Sequence, residues 1–393
     1  AEVFKLNDTF GFPLDLTREI AAEAGLAVDE AAFHVEMTKQ RERARAERLA
    51  KDISGWSADL FGELTAEATR FDGYDMLSES AKVIALSDGE ELADAIATDE
   101  AGESKDGVLV VLDRTPFYAE MGGQVADHGY ITNGDAKLKV TQVKKTPRGY
   151  FVHTCELLDG TIHVGDEVTA AVDTQRRMAI CRNHTATHLL QKALREVLGE
   201  HVHQAGSYQD DKLTHFDFTH FSAVTPEELR KVEDRVNEKI FEALPVTIQN
   251  LPIEEAKKMG AMALFGEKYG SVVRVVDAGG WSTEFCGGTH VTNTAQIGCF
   301  KILSESSVAA GIRRIEATTA YGVLNLLDER TEQLAQTAVA LKANNLKDAP
   351  ARAEALTAEL KETGKQLDIL KAEMASAKID GLFENAADID GVR

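Results

Sequence analysis

Apolar positions along the chain change period from one stretch to the next, and each period predicts a different element. Leu14-Asp-Leu-Thr-Arg-Glu-Ile-Ala-Ala-Glu-Ala lies between Pro13 and Gly25, the order of a helix start and a helix stop. Asp29 then stands as the N-cap of a second helical run carrying Phe33 and Met37. The basic stretch 39–48 that follows includes Glu42 and Glu47, which suits a solvated helix face better than a nucleic-acid contact. Residues 1–70 therefore read as helical.

The period then drops to two. Short β-rich runs at 82–86, 107–112, 138–143 and 166–172 predict strands. Turn signals at Asn133-Gly134, Pro147-Arg-Gly149 and Asp159-Gly160 separate the later ones. Strands so short and so evenly spaced over 71–172 suggest a small β-barrel. From 173 to 321 helices and strands mix. Leu189, Leu190, Ala193, Leu194 and Val197 give an amphipathic helix over 185–198 that Gly199 stops. Further helices are predicted at 226–244 and 254–264, and strands at 272–276 and 298–303. That is an α+β domain.

Beyond 322 the helical period returns and persists. Leu327, Leu334 and Leu341 recur at heptad spacing, and Pro350 interrupts the pattern. Leu356, Leu360, Leu367, Leu370 and Met374 then mark an a/d seam. The expectation is an antiparallel helical hairpin or coiled coil over 322–380, with 381–393 opening a further domain. A seam of this kind suits either the preceding helix or a second copy of the chain, so a homodimer through it is also expected. The chain starts without Met and stops inside an element, which reads as a fragment of a longer protein.

Composition narrows the class. At 44% hydrophobic and 27% charged residues the chain is an ordinary globular one. Charged residues interrupt every apolar stretch, so no membrane span is predicted. Glu2, Lys5, Asp8, Asp15, Arg18 and Glu19 leave no room for a signal peptide. Four cysteines make no disulfide framework, and a reducing cytoplasmic setting is expected. A formal charge of −22 argues against DNA coating, which needs clustered cations. A tRNA held by local basic patches remains compatible.

Two short motifs carry metal chemistry. His184-Thr-Ala-Thr-His188 places imidazoles at i and i+4, on one helix face. Cys286-Gly-Gly-Thr-His290 offers a thiolate and an imidazole around a tight turn. Each is a weak signal alone, since such spacings also occur in ordinary packing. Together they supply a His, His, Cys, His set suited to tetrahedral Zn²⁺. Four protein ligands favour a structural metal by count. Against that, a domain of this size has no need of a metal to fold, and polar Thr185, Thr187, Gln204, Ser207, Thr283 and Thr289 surround the ligands in sequence. Cys155, Cys181 and Cys299 read as structural.

Six motifs then fall in the order seen in alanyl-tRNA synthetases. They are Leu6-Asn-Asp-Thr-Phe-Gly-Phe-Pro-Leu-Asp-Leu-Thr17, Thr115-Pro-Phe-Tyr-Ala-Glu-Met-Gly-Gly-Gln124, Asn183-His-Thr-Ala-Thr-His188, Phe265-Gly-Glu-Lys-Tyr269, Cys286-Gly-Gly-Thr-His290 and Gly311-Ile-Arg-Arg-Ile-Glu316. The chain resembles that family over essentially its whole length. The resemblance implies the end of the tRNA-recognition helices, a β-barrel, a zinc-containing editing domain and a helical hairpin, with the aminoacylation domain absent from this chain. It implies hydrolysis of seryl- and glycyl-tRNA for alanine, with the acceptor stem and 3′ end as partner and no ligase activity in the chain itself. His184, His188, Cys286 and His290 match the family's zinc ligands. Gln204 matches a polar residue of its editing pocket, and Thr187 lies between the two histidines. Asp8 matches the acidic residue that helps read the acceptor-stem G·U pair. Gly122, Gly123 and Gln124 match a barrel loop beside the editing cleft.

The chemistry is consistent with that reading. An aminoacyl ester is already activated, so hydrolysis needs a positioned water and stabilisation of the oxyanion. Cys286 beside His290 looks like a nucleophile pair, yet a metal takes both, so Cys286 counts as a ligand as well as a residue at the reacting ester. Serine is larger than alanine, so selectivity requires a group that hydrogen-bonds the serine hydroxyl. Thr187, Gln204 and the zinc are the candidates. Arg313 and Arg314 are candidate phosphate contacts, with an ion pair to Glu316 as the structural alternative. Two other functions fit the same motifs: a free-standing trans-editing deacylase, and a non-catalytic tRNA-binding module with structural zinc.

Overall fold

The computed structural model describes residues 14–23, 60–62, 64–98, 103–262 and 270–384, with isolated positions between 3 and 33. They fall into two compact units, Ala1–Val323 and Leu324–Arg393.

In the first unit, helix α1 (Leu14–Glu23) ends as its sequence predicts. Gly25 takes a φ of +72°. Its N–H reaches the Ala22 carbonyl at 3.0 Å while that of Leu26 reaches Ala21 at 2.8 Å, the paired bonds that close a helix on a left-handed glycine. Asp29 also acts as foreseen, its carboxylate accepting from the Ala32 N–H at 2.9 Å. Asp8 and the basic stretch 39–48 lie outside the described residues.

Six strands form the barrel: β1 (Ser78–Ser87), β2 (Lys105–Leu112), β3 (Gly129–Thr132), β4 (Ala136–Lys145), β5 (Phe151–His163) and β6 (Glu167–Val172). Their order is β1-β2-β5-β4-β3-β6, and β6 pairs back on β1 to close the ring. Closure leaves these strands no open edge. In β4, Ala136, Leu138 and Val140 turn inward while Lys137, Lys139 and Thr141 face out. The continuous apolar run in β2 has a different cause, because both of its faces are covered. Val108, Val110 and Leu112 fill the barrel, whereas Leu109 and Val111 pack outside it with Phe61 and Tyr150.

The α+β part begins directly after β6. Helix α2 (Thr174–Leu198) starts well before the apolar period does, capped by Asp173 accepting from the Arg176 N–H. Its first turns are legible only in space, because Arg177 is buried for an electrostatic reason. Its guanidinium pairs with Asp127 and donates to the Gly73 and Pro116 carbonyls, tying α2 to the barrel side. Helix α3 (Pro226–Phe241) opens with a Thr225/Glu228 capping box. Strands β7 (Gln204–Gln209) and β8 (Thr214–Thr219) pair as a hairpin. Strands β9 (Val246–Pro252), β10 (Val272–Ala278) and β11 (Ser282–Phe285) form a meander in the order β9-β10-β11. Strands β12 (Phe300–Ala309) and β13 (Ile312–Thr319) complete a second sheet of order β7-β8-β13-β12. Phe216, Phe218, Ile315 and Ala317 of this sheet share one core with Leu189, Leu190 and Ala193 of α2. The helix predicted at 254–264 is shorter than its pattern. As α4 it covers Ile253–Lys258 and stops before Gly260, whose φ is +76°. Met262 then pairs with the β11 edge instead.

In the second unit, α5 (Tyr321–Ala340, which begins just inside the first unit) precedes a short 3₁₀ turn, and α6 (Ala349–Glu384) follows it. Ala338 and Ala349 are buried near the turn, where Arg352 donates to the Leu341 carbonyl at 3.3 Å. Farther along α6 the seam is open. Leu360, Leu367, Leu370 and Met374 are 75%, 51%, 56% and 64% exposed. The α+β class, the closed barrel and the long C-terminal helix agree with expectation, but the leucine seam is not packed on α5. Among the described residues no helix is long and apolar enough to cross a membrane.

Candidate metal centre

Helix α2 presents His184 and His188 one turn apart, and the loop after β11 brings Cys286 and His290 against them. All four ligand atoms lie within 4.8 Å of one another. The Cys286 Sγ stands 3.4 Å from His184 Nε2 and 3.3 Å from His290 Nε2. Tetrahedral zinc with bonds of about 2.0–2.3 Å has ligand–ligand edges of about 3.3–3.8 Å. The two edges from Cys286 fall in that range.

The outer nitrogens decide which way the inner ones face. His184 Nδ1 donates to Gln124 Oε1 at 2.8 Å, His188 Nδ1 to Glu284 Oε2 at 2.6 Å, and His290 Nδ1 to Thr185 Oγ1 at 3.2 Å. Each bond places a proton on Nδ1 and leaves the Nε2 lone pair for the centre, the arrangement typical of metal-binding histidines. His188 Nε2 is buried with no hydrogen-bond partner. An orphaned acceptor at this point is what a bound cation would satisfy. The residues present fit zinc.

The electrostatics agree at Cys286 and His290. Burial works to raise the Cys286 pKa, but His184, His290 and His188 outweigh it and hold the thiol well below its ordinary range. Burial, followed by the neighbouring His184, pushes His290 down to about 3 despite the opposing pull of Cys286. The site thus favours a thiolate and a neutral imidazole, the forms that bind metal. Burial disfavours a charged His188, yet Glu284 and Cys286 together raise it well above the usual value.

Two close approaches explain one glycine of the ligand loop and one of a barrel turn. A Cβ on Gly288 would stand 2.1 Å from His184 Cε1, so only glycine lets the loop reach the imidazole. The barrel contributes from the other side through the turn 121–124, where Gly122 and Gly123 have φ of +63° and +90°. Gly123 lies against β7, since a Cβ there would meet the Ser207 carbonyl oxygen at 2.4 Å. Gln124 is fully buried; its Oε1 also accepts from the Thr289 N–H at 2.8 Å, and its Nε2 donates to Thr289 Oγ1 at 2.9 Å.

The other expected residues occupy different settings. Thr187 is buried, its hydroxyl bonded to the Asn183 carbonyl at 2.9 Å and to Thr214 Oγ1 at 2.7 Å. Gln204 is half-buried at the start of β7, with one 3.3 Å contact from Nε2 to Ser207 Oγ. Arg313 and Arg314 pair with Glu305 and Asp217 respectively, each through two nitrogens, and not with Glu316. Glu284 was not foreseen as a site residue. Its only signal is an acid at a buried position of a short strand, which requires a partner. Arg274 was also missed, and nothing in its apolar β10 context indicates that it serves the ligand loop.

Comparison with known proteins agrees with this geometry. Residues 1–176 match the family described as tRNA synthetases class II (A), and residues 273–316 match the threonyl and alanyl tRNA synthetase second additional domain. The alanine–tRNA ligase of Acetivibrio thermocellus is 48% identical over 392 residues, covering 100% of this chain and 44% of that protein. The chain belongs to the alanyl-tRNA synthetase family. The alanine–tRNA ligases of Geobacillus kaustophilus and Bacillus subtilis are 47% and 45% identical over 392 residues each, covering 100% of this chain and 43% and 44% of theirs. The chain thus spans under half the length of these alanyl-tRNA synthetase relatives. The second matched segment holds both Cys286 and His290.

Proposed function

We propose that the chain hydrolyses the ester of alanine tRNA mischarged with serine or glycine, and that its metal is zinc held by His184, His188, Cys286 and His290. The observation that carries this reading is the convergence of four metal-binding side chains from two distant segments on one point. The barrel supports them through Gln124.

Three groups set the site before any substrate arrives. Gln124, Glu284 and Thr185 each accept a hydrogen bond from an Nδ1–H and so fix the tautomer and the ring plane of one histidine. When bound, zinc supplies a Lewis acid able to lower the pKa of water to about 7 or to anchor a substrate hydroxyl or amine. For recognition of serine, Gln204 has the freer polar group, its amide making a single long contact. Thr187 already shares its hydroxyl with Thr214, so its part in selectivity runs through that pair. The acceptor stem and 3′ end of the tRNA are the proposed partner, with Asp8 reading the stem. Arg313 and Arg314 would leave their carboxylate partners to reach phosphate.

Four protein ligands around one point favour a second reading, a tRNA-binding module in which the metal is structural. One assay separates the two. Release of serine from seryl-tRNA for alanine is measured before and after chelation, with the fold followed by circular dichroism. Loss of turnover with the fold intact supports the deacylase. Zinc-loaded, folded protein that releases no serine supports the binding module.

A further inference from the structure

We infer that the backbone N–H of Gly287 is an oxyanion donor at the hydrolytic site, and that Arg274 is the positioning residue that turns it there; this rests on the deacylase reading. Arg274 Nη1 donates to the carbonyls of both Cys286 and Gly288, at 2.8 Å each. Its guanidinium lies 4.0 Å from the ring centroid of Tyr74, whose hydroxyl donates to the intervening Gly287 carbonyl at 2.6 Å. Three consecutive carbonyls of the ligand loop are therefore held by two side chains.

No peptide here is cis. In a trans peptide the N–H points opposite to the carbonyl of the same plane. The N–H groups of residues 287, 288 and 289 therefore face away from the groups that hold those carbonyls. Two of the three have identified destinations. The Gly288 N–H meets Cys286 Sγ at 3.4 Å, and the Thr289 N–H meets Gln124 Oε1 at 2.8 Å, beside His184. Among the described residues the Gly287 N–H has no partner. A Cβ on Gly287 would meet only the Met121 methyl, the end of a flexible side chain, at 3.4 Å. A held donor with no protein partner is what a developing oxyanion needs. The guanidinium on the Cys286 carbonyl polarises the same peptide and strengthens its N–H as a donor.

The step balances as follows. A water oxygen bonds to the ester carbonyl carbon, and the carbonyl π pair moves onto its oxygen, which accepts the Gly287 N–H. The pair returns, the bond from carbon to the ribose oxygen breaks, and that oxygen takes the proton the water gave up. The products are the free amino acid and the tRNA hydroxyl.

The test compares the unmodified chain with Gly287→Pro, which removes the donor, and Arg274→Lys, which cannot hold both carbonyls in the same way. Single-turnover and steady-state hydrolysis of seryl-tRNA are measured together with zinc per chain. The expected result is a fall in kcat of about 10²-fold or more for Gly287→Pro. A smaller fall is expected for Arg274→Lys, with KM and zinc stoichiometry unchanged. If Gly287→Pro loses zinc or its fold, Arg274→Lys decides the question. A kcat within twofold of the unmodified chain in the deciding variant, or a change confined to KM or metal content, overturns the inference. An unmodified chain that releases no serine would instead defeat the deacylase reading itself.

Discussion

The side-chain oxygen of Gln124, on a barrel turn, accepts a 2.8 Å hydrogen bond from Nδ1 of His184, on the α2 helix. A residue from one part of the fold thereby sets the tautomer of a candidate metal ligand in another. Gln124→Met should weaken zinc binding by about 10–100-fold, the usual cost of losing an outer partner of a ligand. Competition with a chromophoric chelator measures it. Unchanged affinity would mean that the helix alone orients the imidazole.

Glu284 does the same for His188 with a charge in addition. Glu284→Gln keeps the shape and removes the charge, so zinc affinity should fall about tenfold while the fold persists. The same competition assay reads it, with thermal melting as the control.

Metal loss and unfolding should separate. The core of this part is built from Leu189, Leu190, Phe216, Phe218 and Ile315, none of them a ligand. His184→Ala and Cys286→Ser should therefore lower zinc per chain by elemental analysis and leave far-ultraviolet dichroism near that of the unmodified chain.

Arg177 and Asp127 form a buried ion pair between α2 and the barrel side. Arg177→Met strands the carboxylate and should cost about 3–5 kcal/mol in urea unfolding. Asp127→Leu added to Arg177→Met should recover part of the loss, because no unpaired charge then remains.

His153 gives the barrel a pH dependence. It is fully buried, its Nδ1 donating to the Val110 carbonyl and its Nε2 accepting from Thr115 Oγ1. Burial lowers its pKa to about 4 from 6.5. The unfolded chain then binds a proton that the fold excludes. The stability due to the neutral ring is full above pH 6.5 and is lost as pH falls toward 4, by about 3 kcal/mol. Urea midpoints at pH 7 and pH 5 should differ in the unmodified chain and differ less in His153→Gln.

Local signals were sufficient wherever one element's own residues decide its form. The Gly25 stop, the Asp29 cap, the period-two strands of the barrel and the i, i+4 histidines all depend on near neighbours in the chain, so their patterns are written in sequence. The His/Cys cluster was legible for the same reason, as two short motifs. The early start of α2 was not, because Arg177 is buried by an ion pair with Asp127 and not by an apolar period. Glu284 and Arg274 escaped for a related cause, and Gln124 was placed beside the cleft by family resemblance alone, without its role. Each acts on a ligand or on the ligand loop only after strand pairing and barrel closure have brought it there. The leucine seam of α6 shows the reverse case, a pattern that names a buried face without naming what buries it. Most elements and the four members of the His/Cys cluster could be read from the chain alone, because propensity and spacing are local. The tautomers, the oriented peptides and the shared centre emerge on folding, because they depend on contacts between residues far apart in the chain.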